Sequence, residues 1–278
     1  MSKEHLSGFI GFGVAGNFAD HLVQAGEAAD FVNVQTNEEN APKGIFPFYL
    51  PEDDSFLSVY PLSNKDLIYP TNIGEGNLQM EPELALVCEL KYENEKVIDL
   101  IPNFFTAYND CSIRKPNVKK ISEKKNWGEK TKGISSQIIP IDSFEKGGVL
   151  DDFSIASFLK RDNKIYAYGN NSPVLTYNYF YTKLKNWIIE KLNTQEDFGP
   201  LENLHGHIKN NNYPSGAIIS IGATSYTHFG ENTFLQSGDE IYVCVYNMTK
   251  NSYEEILNQI TQGNENIKDA SLLHQVVI

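Results

Sequence analysis

Met80-Glu81-Pro82-Glu83-Leu84-Ala85-Leu86-Val87 sets two carboxylates two residues apart at the head of an apolar run that continues to Leu90. In an extended chain, residues i and i+2 face the same way, so Glu81 and Glu83 can reach one cation together. A strand with an exposed acidic face gives the same letters. Pro82 cannot donate to a ladder, which points to an edge or irregular strand. Further strand candidates follow at residues 96–101 and 104–108, closed by Asn109-Asp110-Cys111-Ser112-Ile113-Arg114. Asp110 therefore stands at a loop entrance, where an Asx turn is the plain alternative. Three hard oxygen donors suit Mg2+, Mn2+ or Ca2+ and leave positions open for water and substrate.

Outward from this stretch the chain stays mostly β. Residues 137–141, 153–159 and 217–221 read as short strands. In residues 240–247, Ile241, Val243 and Val245 alternate with Tyr242, Cys244 and Tyr246, so both faces of that strand are expected to be covered. Ser172-Pro173 predicts a helix start, continued by an apolar stripe at Phe180, Leu184, Ile188 and Leu192. Ser252 with Glu255 is a capping box for a last helix. Upstream, residues 9–16 read as a strand and glycine turn, followed by a helix over residues 17–29 with Phe18, His21, Leu22 and Ala25 on one face. Residues 42–70, rich in proline and acid, read as irregular β structure. There is no repeat of fixed period and no βαβ alternation; the expectation is α+β, mostly β, in a single catalytic domain.

Composition narrows the classes of function. A chain of 278 residues with 41% hydrophobic and 21% charged residues can bury a sizeable core. A net charge of -13 argues against nucleic acid, which needs clustered Lys and Arg. The one lysine-dense stretch, residues 115–132, reads as a solvated surface loop. Cys88, Cys111 and Cys244 form no CxxC pair and no disulfide framework. No apolar run is long enough to span a bilayer and the first residues lack a signal-peptide core, so no membrane partner and a cytoplasmic setting are expected.

Gly11-Phe12-Gly13-Val14-Ala15-Gly16 matches the GxGxxG pattern of dinucleotide sites, and residues 31–34 could be the second strand of such a unit. The position ending that strand is Gln35 and not the acid that grips a ribose hydroxyl, and alternating strands and helices do not follow. No nicotinamide cofactor is expected. His205 and His207 read as surface loop because no third zinc ligand lies near them. His228, just past a Gly-Ala-Thr turn, is a residue that could line a pocket.

The ordered set of motifs, over about residues 9–247, resembles the fumarylacetoacetate hydrolase superfamily. Glu81-Pro82-Glu83-Leu84 and Asn109 to Arg114 are similar to its Glu-x-Glu-Leu strand and Asn-Asp-x-Ser-x-Arg segment. Lys132 matches its active-site lysine, with Lys130 as competitor. Gly222-Ala223-Thr224 and Ser237-Gly238-Asp239-Glu240-Ile241 resemble its final pair of motifs, and Gly16-Asn17-Phe18-Ala19-Asp20-His21 its Arg-Asn-Tyr-x-x-His segment.

The resemblance implies a distorted β roll with flanking helices, assembled as a homodimer, in which residues 1–70 contribute His21 and residues 71–278 form the metal-binding core. It implies Mg2+, or Mn2+ or Ca2+, on Glu81, Glu83 and Asp110, polarising a 2-keto or 1,3-dicarbonyl acid. Lys132 would stabilise an enolate and His21 would act as base or proton shuttle. Asn17, Ser112, Arg114 and Thr224 would bind this small carboxylate substrate. The activity implied is a hydrolase or lyase cleaving C–C bonds of acylpyruvate-like acids; a decarboxylase, isomerase or hydratase, or a binding protein on the same fold, are the alternatives. The departures bear on water activation. Gly16 replaces an arginine, Gln24 replaces the acid that hydrolytic members place after the histidine, and Glu27 is the nearest substitute. Ala223 stands where a threonine is usual, and Lys115 where an acid is.

Overall fold

The computed structural model describes residues 6–18, 21–34, 36, 38–71, 77–115 and 118–278. Gln35, and Ala19 and Asp20 of the expected first helix, lie outside the described residues.

Among the described residues fifteen strands carry the fold: β1 (Ile10–Ala15), β2 (Gly44–Tyr49), β3 (Leu62–Ser63), β4 (Asp66–Leu67), β5 (Asn77–Gln79), β6 (Pro82–Glu93), β7 (Lys96–Asn109), β8 (Ser112–Arg114), β9 (Lys132–Ile134), β10 (Ile139–Pro140), β11 (Phe153–Arg161), β12 (Lys164–Pro173), β13 (Gly216–Ser220), β14 (Glu240–Asn247) and β15 (Ala270–Val277). One sheet runs β2-β1-β13-β6-β7-β9-β3, with β10 added on β7; a second runs β12-β11-β14-β15-β4; β5 and β8 pair alone. The two large sheets share one apolar core that includes Phe12, Leu86 and Phe105 from the first and Ile155, Val243 and Leu273 from the second. Phe105 meets Phe153 edge to face at 4.8 Å, the geometry that aromatic quadrupoles favour.

The strands expected at residues 96–101 and 104–108 are one, β7, which pairs antiparallel with β6 from Lys96 to Asn109. Residues 240–247 form a strand buried on both faces, as their alternation implies. The capping box at Ser252 and Glu255 is made and opens the helix Tyr253–Thr261. Cys88, Cys111 and Cys244 are free and buried.

Four local expectations are corrected. Ser172-Pro173 does not begin a helix, because both residues pair with β11 at the end of β12. The helix bearing the stripe starts at Tyr181 instead and buries Leu184, Ile188 and Leu192. Within residues 17–29 the described helix is only His21–Gln24. Residues 31–34 form no strand: Phe31 ends a 3-10 turn, Ala28–Phe31, and residues 32–34 are turn and loop. His205 and His207 lie in a helix, Leu204–Asn210, and not a loop.

Gly11 and Gly13 are not turn residues but sit inside β1, where a Cβ at either position would overlap the ring of Phe48 or Phe46 on neighbouring β2. The glycines thus make room for aromatic rings across the pair, while Gly16, at φ +75°, makes the turn that ends the strand. Gly13→Val should therefore destabilise the fold by about 1–3 kcal/mol through overpacking. Chemical denaturation would check this, and an unchanged midpoint would show that Phe46 has space to yield.

Candidate metal centre

The register of β6 on β7 builds the centre. Pro82 pairs with Asn109 and Glu83 with Tyr108, so Asp110, just past the end of β7, comes opposite Glu81. Two hydrogen bonds lock this corner: Asp110 N donates to the Glu81 carbonyl at 3.0 Å, and Glu81 N to Asn109 Oδ1 at 3.1 Å. Glu81 and Glu83 share a face, and one carboxylate oxygen from each of Glu81, Glu83 and Asp110 falls within 4.8 Å of the others. All three side chains are buried. The Gly222 amide, just beyond β13, donates to Glu83 Oε2 at 2.9 Å.

Basic groups surround the triad. Arg114 on β8 places NH2 2.8 Å from Glu81 Oε1 and NH1 2.6 Å from Glu27 Oε1. Its remaining bonds, to Gln79 Oε1 at 2.7 Å and the Tyr226 hydroxyl at 3.1 Å, hold it in place. Lys132 on β9 is fully buried, with Nζ 3.1 Å from Asp110 Oδ1 and 2.5 Å from the Cys111 carbonyl. Lys130, the competing lysine, pairs instead with Asp66 at 2.6 Å and is half exposed.

Lys125 follows a 3-10 turn, Ile121–Lys124, and sets its ammonium 2.8 Å from Glu81 Oε2 and 2.5 Å from Asp110 Oδ2. Lys124 beside it reaches Asp30 at 2.7 Å and Glu27 at 3.4 Å. The lysine-dense stretch is therefore not simply a solvated loop: Lys124, Lys125 and Lys132 are buried and paired. Sequence reading missed Lys124 and Lys125 because a lysine run normally signals solvent, and their partners lie far away in the chain.

The electrostatics follow from this packing. Burial disfavours ionised Glu81, but Lys125 and Arg114 outweigh it and hold the carboxyl below its usual range. Glu83 is pushed well up, by burial first and then by the charges of Asp110 and Glu81. Among the described residues Glu83 has no ion-pair partner. Burial also lowers Lys132, against the pull of Asp110.

His21 is buried at the mouth of the triad. Its Nδ1 lies 3.0 Å from the Thr224 carbonyl, which can only accept, so Nδ1 carries the proton and Nε2 a lone pair. Nε2 has no hydrogen-bond partner and stands 3.9 Å from Glu81 Oε2. Burial above all pushes His21 down to about 4, so the ring is neutral near pH 7.

Neither Gln24, an amide, nor the carboxylate of Glu27 bonds to His21. Gln24 is clamped to the backbone of Tyr226, accepting from its amide at 2.9 Å and donating to its carbonyl at 3.2 Å. Glu27 is occupied by Arg114 and Lys124. Asn17 bonds the backbone of Tyr179 and Ile221. Ser112 Oγ is 3.5 Å from the Asp110 carbonyl, and Thr224 Oγ1 is 3.4 Å from that of Pro82. His228 is exposed, and His207 stands 3.9 Å from Asp53, so neither joins the centre.

The cavity over the triad is about 20 Å³, lined in part by Val14, His21, Phe46, Glu83, Lys125 and Ala223. That is room for little more than a water molecule.

A sequence profile described as "Family of unknown function (DUF5718)" matches residues 27–277. The chain belongs to this family. No curated protein matches the sequence. Solved structures do match in fold. A Yersinia pestis CO92 protein assigned to the fumarylacetoacetate hydrolase family is 14% identical over 97% of this chain and 93% of its own, with a TM-score of 0.53. A 2-keto-3-deoxy-D-arabinonate dehydratase, complexed with magnesium and 2,5-dioxopentanoate, is 13% identical over 100% of this chain and 80% of its own, at 0.54. A 5-carboxymethyl-2-hydroxymuconate delta-isomerase from Mycobacterium smegmatis is 12% identical over 97% and 78%, at 0.52. This chain thus has the mostly β fold of these fumarylacetoacetate hydrolase-like structures. None of its described helices is long and apolar enough to cross a membrane.

Arg114 is the residue whose loss should unsettle the centre most. Arg114→Met leaves Glu27 and Glu81 short of a buried partner, and the expected destabilisation is about 3–5 kcal/mol. A thermal or urea melt within 1 kcal/mol of the parent protein would contradict the pairing described.

Proposed function

We propose that this protein is a divalent-metal-dependent enzyme acting on a small 2-keto or 1,3-dicarbonyl acid, as a hydrolase or lyase of acylpyruvate-like substrates. The observation that carries the reading is the meeting of Glu81, Glu83 and Asp110, buried and within 4.8 Å, beside Lys132 and the open Nε2 of His21. The donor set fits a hard cation. Both Asp110 oxygens and Glu81 Oε1 are buried at ion-pair distances without a directed hydrogen bond, which suits a non-directional positive charge. Mg2+ is the first candidate, with Mn2+ or Ca2+ as substitutes, and when bound it supplies Lewis acidity to the substrate's keto oxygen.

The chain's own residues supply the rest. Lys132 offers a fixed positive donor to the charge that develops on an enolate, in a site that excludes water. His21 Nε2 can take a proton while Nδ1 stays bonded to the Thr224 carbonyl. Arg114, locked by Gln79 and Tyr226, orients Glu81. Asn17, Ser112, Arg114 and Thr224 stand outside the lining of the 20 Å³ cavity, so a substrate carboxylate would reach Ser112, Thr224 or Arg114 only in a wider pocket.

A second reading, a decarboxylase, isomerase or hydratase, is favoured by one observation. Gln24 and Glu27 are both engaged elsewhere, so His21 lacks a carboxylate to sharpen it against water.

Two variants test the proposal. Glu83→Gln should abolish most Mg2+ or Mn2+ binding in a calorimetric titration, because a neutral amide is a poorer ligand for a hard cation. The fold should survive, since Glu83 has no ion pair to lose and burial already favours its neutral form. Unchanged affinity would remove the metal assignment. Lys132→Met should lower turnover of acetylpyruvate or oxaloacetate at saturating metal by about 100-fold, the scale of losing one preorganised donor. Lys130→Met should turn over normally; a loss there with Lys132→Met unaffected would reverse the roles of the two lysines.

A further inference from the structure

Every oxygen of Glu81 and Asp110 already faces a cation of the chain itself. Glu81 Oε1 faces Arg114 at 2.8 Å and Oε2 faces Lys125 at 2.8 Å. Asp110 Oδ1 faces Lys132 at 3.1 Å and Oδ2 faces Lys125 at 2.5 Å. A divalent ion needs these oxygens at about 2.0–2.6 Å, depending on the ion. It would have to lie between Glu81 and Asp110, where the Lys125 ammonium now bridges them. Two cations cannot share that space, because their repulsion inside a buried site is many times its value in water.

The three basic side chains are not equally able to leave. Arg114 is held by Gln79, Glu27 and Tyr226 besides Glu81. Lys132 is fully buried and also donates to the Cys111 carbonyl. Among the described residues Lys125 has, beyond the two carboxylates, a 3.4 Å contact to the Asp110 carbonyl and the face of Phe46 at 5.1 Å. It also lines the small cavity over the triad and is carried by a one-turn 3-10 segment instead of a strand.

We propose that Lys125 is a tethered counter-cation that bridges Glu81 and Asp110 of the acidic triad and must withdraw when a divalent ion enters. The inference rests on the metal reading above and adds a competition that sets the affinity. Withdrawal of the ammonium also enlarges the small cavity that Lys125 lines. Lys125 is thus a positioning residue for the site.

The test is a calorimetric titration with Mn2+ of the full-length chain and of Lys125→Met and Lys125→Gln. Removing the competitor should tighten Mn2+ binding by at least about tenfold. Binding in the parent chain with equal or weaker affinity in both variants would overturn the competition while leaving the metal reading intact. No binding in the parent or in either variant would remove both. Should the variants not fold, amine labelling of the unmodified protein decides, read by mass spectrometry. Mn2+ should raise labelling of Lys125 relative to exposed Lys209, and an unchanged ratio would overturn the proposal.

Discussion

Four carboxylates, those of Glu27, Glu81, Glu83 and Asp110, are buried around one small cavity, and most of what surrounds them exists to make that tolerable. An isolated carboxylate in such a place would be strongly destabilising or would take up a proton. Arg114 links Glu27 to Glu81, Lys125 links Glu81 to Asp110, and Lys132 closes the far side of Asp110. The chain of alternating charges ends at Glu83, which among the described residues receives the Gly222 amide and no ion pair, and is pushed well up by burial and by its acidic neighbours. An added positive charge beside Glu83 would complete the alternation.

The backbone makes the same demand from the other direction. Asp110 reaches the centre because β7 is one unbroken strand down to Asn109, paired with β6 at Pro82 and Glu83. Pro82 can stand at that point because the register leaves its missing amide where the ladder begins, and its carbonyl still accepts from Thr224 N at 3.1 Å. The turn of Gly222 to Thr224 therefore serves three acceptors and donors at once: its first amide holds Glu83, its last amide holds the β6 start, and the Thr224 carbonyl fixes the tautomer of His21. The replacement of threonine by Ala223 removes none of these, since all are backbone groups.

Legibility in the sequence divides along the range of the interactions. The i, i+2 spacing of Glu81 and Glu83 and the carboxylate at a strand end are local, and their geometry was readable. The two competing lysines are separated by the backbone: β9 begins at Lys132, beside Asp110, while Lys130 takes a left-handed turn at φ 55° and pairs with Asp66. Local signals failed where a distant partner outvoted them. Ser172-Pro173 has the letters of a helix start, yet β11 recruits both residues into a strand. Gly11 and Gly13 look like a phosphate turn, yet their job is to admit two phenylalanine rings from β2. Lys124 and Lys125 look like solvent-facing charge, and it is Glu27, Asp30, Glu81 and Asp110, distant in the chain, that explain why they are inside.

Asp110 shows most clearly why residue type alone does not define a role. It has a lysine on each oxygen, and the two are chemically the same group. Lys132 hangs from a strand in the interior of a sheet, is fully buried, and has a carbonyl to anchor it; moving it would expose Asp110 and leave Cys111 O unpaired. Lys125 hangs from a short 3-10 turn, spans two carboxylates, and has little else to hold it. A fixed ammonium can act as a preorganised electrostatic partner because it need not rearrange during reaction. One whose main anchors are the acids themselves can act as their guard, since an incoming charge restores what its leaving removes. The difference between the two lysines lies in the elements that carry them, and that is a property of the fold.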